Sequence, residues 1–418
     1  MSPRSRRLAL AAIVLLALAA RLMYLVLVVG LDSPPEYDGI GYDMIARNLL
    51  AGNGFAIETT TAFRPPGYPV LLAGVYAVTG GSLAAVRTLQ AIVGAATALL
   101  AYRLALGASG RLRIALMAAL LAALHPVSIY LTGIVYPEVV ACLLVTGAAV
   151  LLTPMLRDRT LDTGRCLAAA LLLGAGVALR PAVLAFAGLL TIALAWPEVR
   201  HRKLPLRAAL IPLLVLLFLV PWIARNYRTF GQLIPLATEG GVTFWGGNHP
   251  LGNGGHVDPS PETWRGEEPP QGLYGWPGLT ETESEDRFYA AAFDWIREEP
   301  GAWLKLLPQK VARSWTLAFG NEARDNPLPG WVGKVYLLFP ASVLAGLVLS
   351  WRHRARLVAV YCLLAAQTLT TLAFYGSTRQ SALIIPCALV LCAYAVDRVL
   401  DLIPGLRETG PSKMSSVG

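Results

Sequence analysis

One carboxylate and a scattered set of arginines are the residues here whose types and positions could do chemistry. Asp38 heads the segment Asp38-Gly-Ile-Gly-Tyr42-Asp43, and Phe63-Arg64-Pro65-Pro66-Gly67-Tyr68-Pro69 follows it. A lone carboxylate can accept the proton of an attacking hydroxyl or amine. Arg64 belongs with Arg21, Arg87, Arg180, Arg225 and Arg379, each near the outer end of an apolar run. Guanidinium forks bind phosphate in two-pronged fashion. Arginines beside hydrocarbon therefore suit a lipid whose phosphate head lies at the membrane surface while its tail stays in the bilayer. Every one of these residues also has a plainer reading: Asp38 and Glu138 as helix-start acids held by the helix dipole, each arginine as a snorkelling side chain or the partner of an acid. Arg64 and Arg225 are the arginines singled out as phosphate contacts.

The elements that must position them are membrane helices. The 418 residues are 55% hydrophobic and 15% charged, with mean hydropathy +0.55, too apolar for a soluble domain. Arg4, Arg6 and Arg7 precede an apolar run from about Leu8 to Gly30, longer than a signal-peptide core. Further runs fall near 83–106, 112–125, 134–153, 166–179, 182–196, 206–223, 331–350, 357–374 and 381–400. The expected fold is all-α and polytopic, with about ten transmembrane helices, several of them short and tilted or mutually buried. From a cytoplasmic N-terminus, every short basic loop falls on one side, as the positive-inside pattern requires. Residues 31–66 and about 225–328 fall on the other, and only there does a site have room.

Several classes are excluded. The net charge of +9 sits in short loops and leaves no patch for nucleic acid. No inner loop exceeds about a dozen residues, and there is no Walker or GxGxxG pattern, so neither an ATP-driven pump nor a cytosolic nucleotide-sugar domain is expected. Cys142, Cys166, Cys362, Cys387 and Cys392 read as small core residues. His249, His256 and Asp258 have the chemistry of metal ligands but no specific spacing, and no metal site is expected.

In the first outer loop, Tyr42, Ile45 and Leu49 recur at helical spacing from Asp38 until Gly52 and Gly54, predicting a short surface helix. Asp38 and Asp43 point about 140° apart on it and cannot form a dyad. The apolar stretch ending at Gly80-Gly81 is too short to span and predicts a second surface or re-entrant helix. Residues 246–280 read as irregular loop and 283–319 as helix interrupted at Pro300, its tryptophans suited to headgroup anchoring or sugar stacking.

Asp38-x3-Tyr42-x3-Ala46-x-Asn48-Leu49-x2-Gly52-x-Gly54-Phe55, Arg64-Pro-Pro-Gly-Tyr-Pro69, Arg87-x2-Gln90, Pro221-Trp222-x2-Arg225-Asn226-Tyr227, Gly240-Gly241, Gly246-Gly247-Asn248 and Tyr375-Gly376-x2-Arg379 occur in this order. Together they resemble bacterial GT-C glycosyltransferases related to the protein O-mannosyltransferases and the lipid A aminoarabinose transferase. The resemblance implies a GT-C fold and transfer of a sugar from a polyprenyl-phosphate donor on the extracytoplasmic side. It implies Asp38 as catalytic base and Arg64 as a donor-phosphate contact; Arg225 and Arg379 are the further donor-phosphate candidates. Tyr42, Tyr68, Glu138 and Asn226 are the further substrate-binding candidates. Arg379-Gln-Ser-Ala-Leu departs from the Arg-Tyr-Arg-x-Pro of relatives, and Phe63 stands where some carry a metal-binding acid, so no cofactor is expected.

The mechanism expected is direct displacement with inversion: phosphate needs no general acid, so one carboxylate suffices, unlike the two of glycoside hydrolases. The expected parts are an N-terminal module 1–224 with a catalytic loop 31–82, an outer loop 225–328, C-terminal helices 329–400 and a cytoplasmic tail 401–418. The setting is a bacterial plasma membrane, and the acceptor, whether lipid, glycan or protein, stays open. A lipid-linked sugar flippase and an O-antigen-ligase-like enzyme are the alternatives.

Overall fold

The computed structural model describes residues 1–202, 204–265, 268–271, 275–317 and 330–403. The expected tail beyond 403 and residues 318–329 at the end of the outer loop lie outside them. In chain order the helices are α1 (Pro3–Tyr24), continued by a π-turn at Leu25–Val29, α2 (Asp38–Leu50), α3 (Gly67–Thr79), α4 (Leu83–Ser109), α5 (Leu112–Leu124), α6 (Pro126–Gly133), α7 (Glu138–Asp158), α8 (Thr163–Leu179) and α9 (Val183–Arg200). They continue with α10 (Leu206–Phe230), α11 (Gly240–Gly247), α12 (Glu281–Glu298), α13 (Pro300–Ser314), α14 (Gly330–Tyr336), α15 (Leu338–Leu349), α16 (Val358–Ala373), α17 (Thr378–Ser381) and α18 (Ile385–Leu400). Among the described residues the only β pairing is an isolated bridge between Ala56 and Thr60.

Each of the ten apolar runs is mostly helical, but among the described residues six spans have the length and apolarity to cross a bilayer alone, or seven if a bent pair counts as one. That pair is α5 and α6, which meet at 42°. His125 between them is extended because the ring of Pro126 disfavours the helical region for the residue before it. α8, α16 and Gly333–Leu349 are shorter apolar pieces.

The bundle core is built on alanine. α4, α5, α7 and α8 bury Ala95, Ala98, Ala101, Ala115, Ala118, Ala148, Ala149 and Ala169 where they pack together. Small side chains let backbones approach, which is how helices associate where lipid removes the hydrophobic drive. Gly346 of α15 is the extreme case: a Cβ there would collide with the Leu391 carbonyl of α18.

Alternation of the helices places Asp38, Glu138, Arg180 and Arg379 at one end of the bundle, since they follow α1, start α7, end α8 and precede α18. The basic turns lie at the other end, where Arg111 and Arg113 pair with Asp397 and Asp401.

Candidate functional site

The segment between α1 and α4, expected as the first outer loop, folds as its spacing predicts. α2 buries Gly39, Tyr42, Ile45 and Ala46 along one stripe and packs on α3, where the rings of Tyr42 and Tyr68 meet edge to face at 5.3 Å. The residue before Asp38, Tyr37, has φ +49°, a conformation that costs a non-glycine residue energy and is found where surrounding structure enforces it. It delivers Asp38 to the first position of α2, directed at the bundle rather than capping the helix. α3 is docked by Gly67, on which a Cβ would lie 2.7 Å from the Ala178 carbonyl carbon of α8. This close approach brings Arg64 near the Arg180 end of α8.

Six charged side chains then alternate in sign. Arg64 Nη2 donates to Asp38 Oδ1 at 2.6 Å, and Arg379 Nη1 donates to Asp38 Oδ2 at 2.6 Å. Arg64 Nη1 reaches Glu239 Oε2 at 2.7 Å. Arg379 Nε reaches Glu138 Oε1 at 2.5 Å, and Arg180 Nη1 shares that same oxygen. The guanidinium carbon of Arg379 lies 4.0 Å from the ring centre of Tyr136, and that of Arg64 lies 5.3 Å from Tyr42. Burial would raise the Asp38 carboxyl, but Arg64 and Arg379 more than offset this and hold it well below the usual carboxylate range. Burial would likewise lower Arg64, and Asp38 with Glu239 holds it well above its ordinary value.

Asp38, Arg64, Arg180, Glu239 and Arg379 line one cavity of about 1350 Å³. Its wall is apolar where α8 gives way to α9, at Leu179, Ala182, Leu184 and Ala185, and at Ile40 and Met44 of α2. Leu184 and Ile40 are exposed, so that flank is accessible as well as apolar. Another part of the lining comes from the segment between α10 and α14: Val242 and Thr243 of α11, Asn253, His256 and Asp258 of the loop after it, Glu285 and Tyr289 of α12, and Arg313 of α13.

The structure thus brings Asp38, Arg64, Arg379 and Tyr42 to the cavity, with Glu138 directly behind. Arg225 is elsewhere. Its guanidinium donates to the carbonyls of Thr61 and Phe55 at 2.8 and 3.1 Å and to Asn226 Oδ1 at 2.9 Å, and lies over Phe55 and Trp222. It is spent on pinning the 55–61 turn, and neither it nor Asn226 lines the cavity. Asn226 is wholly buried and donates to the Ile234 carbonyl. The Tyr68 hydroxyl, also off the cavity, donates to Gln90 Oε1 at 2.7 Å. Glu138 is wholly buried under its two arginines.

Sequence reasoning missed Glu239, Glu285 and Arg313, which sit in loop or helix patterns without a local signature. It named Arg180 among the outward arginines without promoting it. Three tryptophans outside the helix expected over 283–319, Trp245, Trp264 and Trp276, pack with Phe63 and Phe288 into an aromatic core, which fixes Phe63 beside Arg64. The glycine pairs have a steric purpose. A Cβ on Gly247 would strike the Phe374 carbonyl, and one on Gly376 the Lys310 carbonyl, so both allow the Arg379 loop to nest between α11 and α13. His249 is bonded to the Thr263 carbonyl at 2.9 Å, and His256 lies 3.2 Å from Asp258 and against Tyr375. Among the described residues no group of three or more His, Cys, Asp or Glu is gathered to hold a metal ion.

Residues 63–224, less than half of the chain, match the family model described as dolichyl-phosphate-mannose-protein mannosyltransferase. None of the curated proteins matches significantly. The chain superposes on the Archaeoglobus fulgidus oligosaccharyltransferase in complex with Zn and sulfate at a TM-score of 0.54, with 14% identity over 96% of this chain and 50% of that one. The archaeal oligosaccharyltransferase AglB from the same organism, in complex with an inhibitory peptide and a dolichol-phosphate, gives 0.50, 14%, 95% and 51%. ArnT from Cupriavidus metallidurans bound to undecaprenyl phosphate superposes more loosely, at 0.45 with 13% identity over 96% of this chain and 79% of that one. The chain spans about half the length of the archaeal enzymes, and the likeness is one of fold.

Proposed function

We propose that this chain, whose fold is that of the GT-C membrane glycosyltransferases, is an inverting transferase that moves one monosaccharide from a polyprenyl-phosphate donor to an acceptor outside a bacterial plasma membrane. The observation that carries this reading is a single carboxylate with a guanidinium on each oxygen, in the lining of a cavity with an exposed apolar flank. The arginines suit the phosphate, the flank suits the isoprenoid, and the outer wall leaves room for an acceptor. The N-terminus then lies in the cytoplasm, in keeping with basic turns at the far end.

In the reaction, the acceptor oxygen or nitrogen bonds to the anomeric carbon from the face opposite the phosphate. The anomeric carbon–oxygen bond breaks, its electron pair leaves with the polyprenyl phosphate, and the acceptor proton goes to Asp38. Arg64, Arg379 and Arg180 stabilise charge growing on the phosphate, so the phosphate role expected of Arg225 passes to Arg180. With both oxygens occupied Asp38 is a weak base. An arriving phosphate competes for the same guanidiniums and frees the carboxylate as the reaction needs it. Tyr42 stacks under Arg64, and Glu138 holds Arg379 and Arg180 at their working separation. No step here calls for a metal.

The test is product formation. Purified protein in nanodiscs is given polyprenyl-phosphate sugars and candidate acceptors, and products are read by mass spectrometry. A glycosylated acceptor with inverted anomeric configuration and free polyprenyl phosphate is expected. Movement of intact donor between leaflets of a liposome without cleavage would replace the reading with a flippase.

A further inference from the structure

Among the described residues four arginines line the cavity, and three of them, Arg64, Arg180 and Arg379, are committed to carboxylates. Arg313 is not. Among the described residues its guanidinium has neither an ion-pair partner nor a hydrogen bond, and its Nε is buried without a partner. Loop geometry holds it there: a Cβ on Gly255 would lie 2.8 Å from its Nε and 2.9 Å from its Nη2, so glycine lets the 253–256 turn lie flat against it. Burial pulls its pKa down with no carboxylate to raise it, yet a guanidinium stays charged in proteins. A half-buried cation with its donors unused is unfavourable by itself, and a ligand anion would complete it.

We infer that Arg313 marks an anion subsite for the acceptor, receiving a carboxylate or phosphate carried beside the attacking group. The inference rests on the transferase reading. Arg313 stands in the part of the lining built by the segment between α10 and α14, with Asn253, His256 and Tyr289, whereas Arg64 precedes α3, Arg180 follows α8 and Arg379 lies in α17. A donor phosphate held by Arg64, Arg180 and Arg379 leaves Arg313, the one of these four cations without a carboxylate, for the second substrate. A charge-assisted fork of this kind is worth roughly tenfold to a hundredfold in affinity.

The experiment uses the whole chain in phosphatidylcholine nanodiscs, titrated with undecaprenyl phosphate, mannose, mannose 6-phosphate and glucuronate. The wild type should prefer mannose 6-phosphate and glucuronate over mannose by about tenfold or more. R313Q should lose that preference while binding undecaprenyl phosphate as the wild type does, and R313K, which keeps the charge without the fork, should retain part of it. If phosphatidylglycerol discs compete the preference away in the wild type, the anion is one that a lipid headgroup can supply; if they do not, it belongs to a soluble glycan or peptide. Equal binding of all three sugars by the wild type would overturn the subsite. So would weakened undecaprenyl phosphate binding in R313Q, which would move Arg313 to the donor. A wild type that keeps the sugar preference but never binds undecaprenyl phosphate would sink the donor reading alone.

Discussion

Replacing Asp38 by Asn removes the proton acceptor while keeping the side chain's shape, and the geometry indicates how the loss divides between activity and stability. Each Asp38 oxygen receives one guanidinium N–H at 2.6 Å. The amide keeps one acceptor and turns a donor toward the other arginine. Neither arginine is stranded, because Arg64 retains Glu239 and Arg379 retains Glu138. The folding cost should therefore be about 1–3 kcal/mol, as for one spoiled hydrogen bond to a charged group, rather than the 3–5 kcal/mol of a buried charge left alone. Loss of the base should lower single-turnover transfer by roughly 10²–10⁴-fold, or about 2.7–5.4 kcal/mol at 1.36 per decade. Affinity for undecaprenyl phosphate should hold or rise, since the carboxylate no longer competes for the guanidiniums. The assay is transfer from a polyprenyl-phosphate sugar in nanodiscs, alongside lipid titration and a thermal melt. A folded D38N enzyme within roughly fivefold of wild type would refute the reasoning, and the base would then be sought at Glu239, which lines the cavity, rather than at Glu138, which lies beneath two arginines.

Arg225→Gln should lower the melting temperature by freeing the 55–61 turn, yet leave kcat and undecaprenyl phosphate affinity close to wild type in the folded fraction; a selective loss of donor affinity would restore Arg225 to the site. Burial, with nearby Asp286, Glu239 and Glu281, pushes the Glu285 carboxyl up to about 7. A carboxyl that holds its proton more tightly folded than unfolded makes stability fall as pH rises from the ordinary glutamate range to about 7. Glu285→Gln should therefore melt higher than wild type above pH 7 and match it near pH 4; parallel melting curves across that window would count against the shift. Gly67→Ala forces a Cβ onto the Ala178 carbonyl and should cost about 1–3 kcal/mol with loss of transfer, whereas Gly74→Ala, with nothing within 4 Å of its added Cβ, should be silent in both the melt and the assay.

What the sequence reveals and what it hides follow from the range of the physics. Helix periodicity and chain breakers are local, so α2, α3 and the apolar runs could be read from spacing alone, and the Pro126 break could be explained once the bend was in view. The carboxylate at the head of α2 and the arginine before Pro65-Pro66 were legible because each sits at an element boundary, where a charge needs a reason. Partner choice is not local. Arg64 and Arg225 look alike in sequence, each an arginine at the outer edge of hydrocarbon. One meets Asp38 and Glu239, distant in the chain, while the other finds the carbonyls of residues 55 and 61 first. Arg379 departs from the pattern of its resemblance and still reaches Asp38, because glycines 247 and 376 let its loop sink between α11 and α13. Glu239 and Arg313 are invisible for the same reason. Their significance comes from the cavity they face, which forms only when the outer segment folds over the helix ends, so a charge with unused donors in that wall says more about the acceptor than any motif in the chain does.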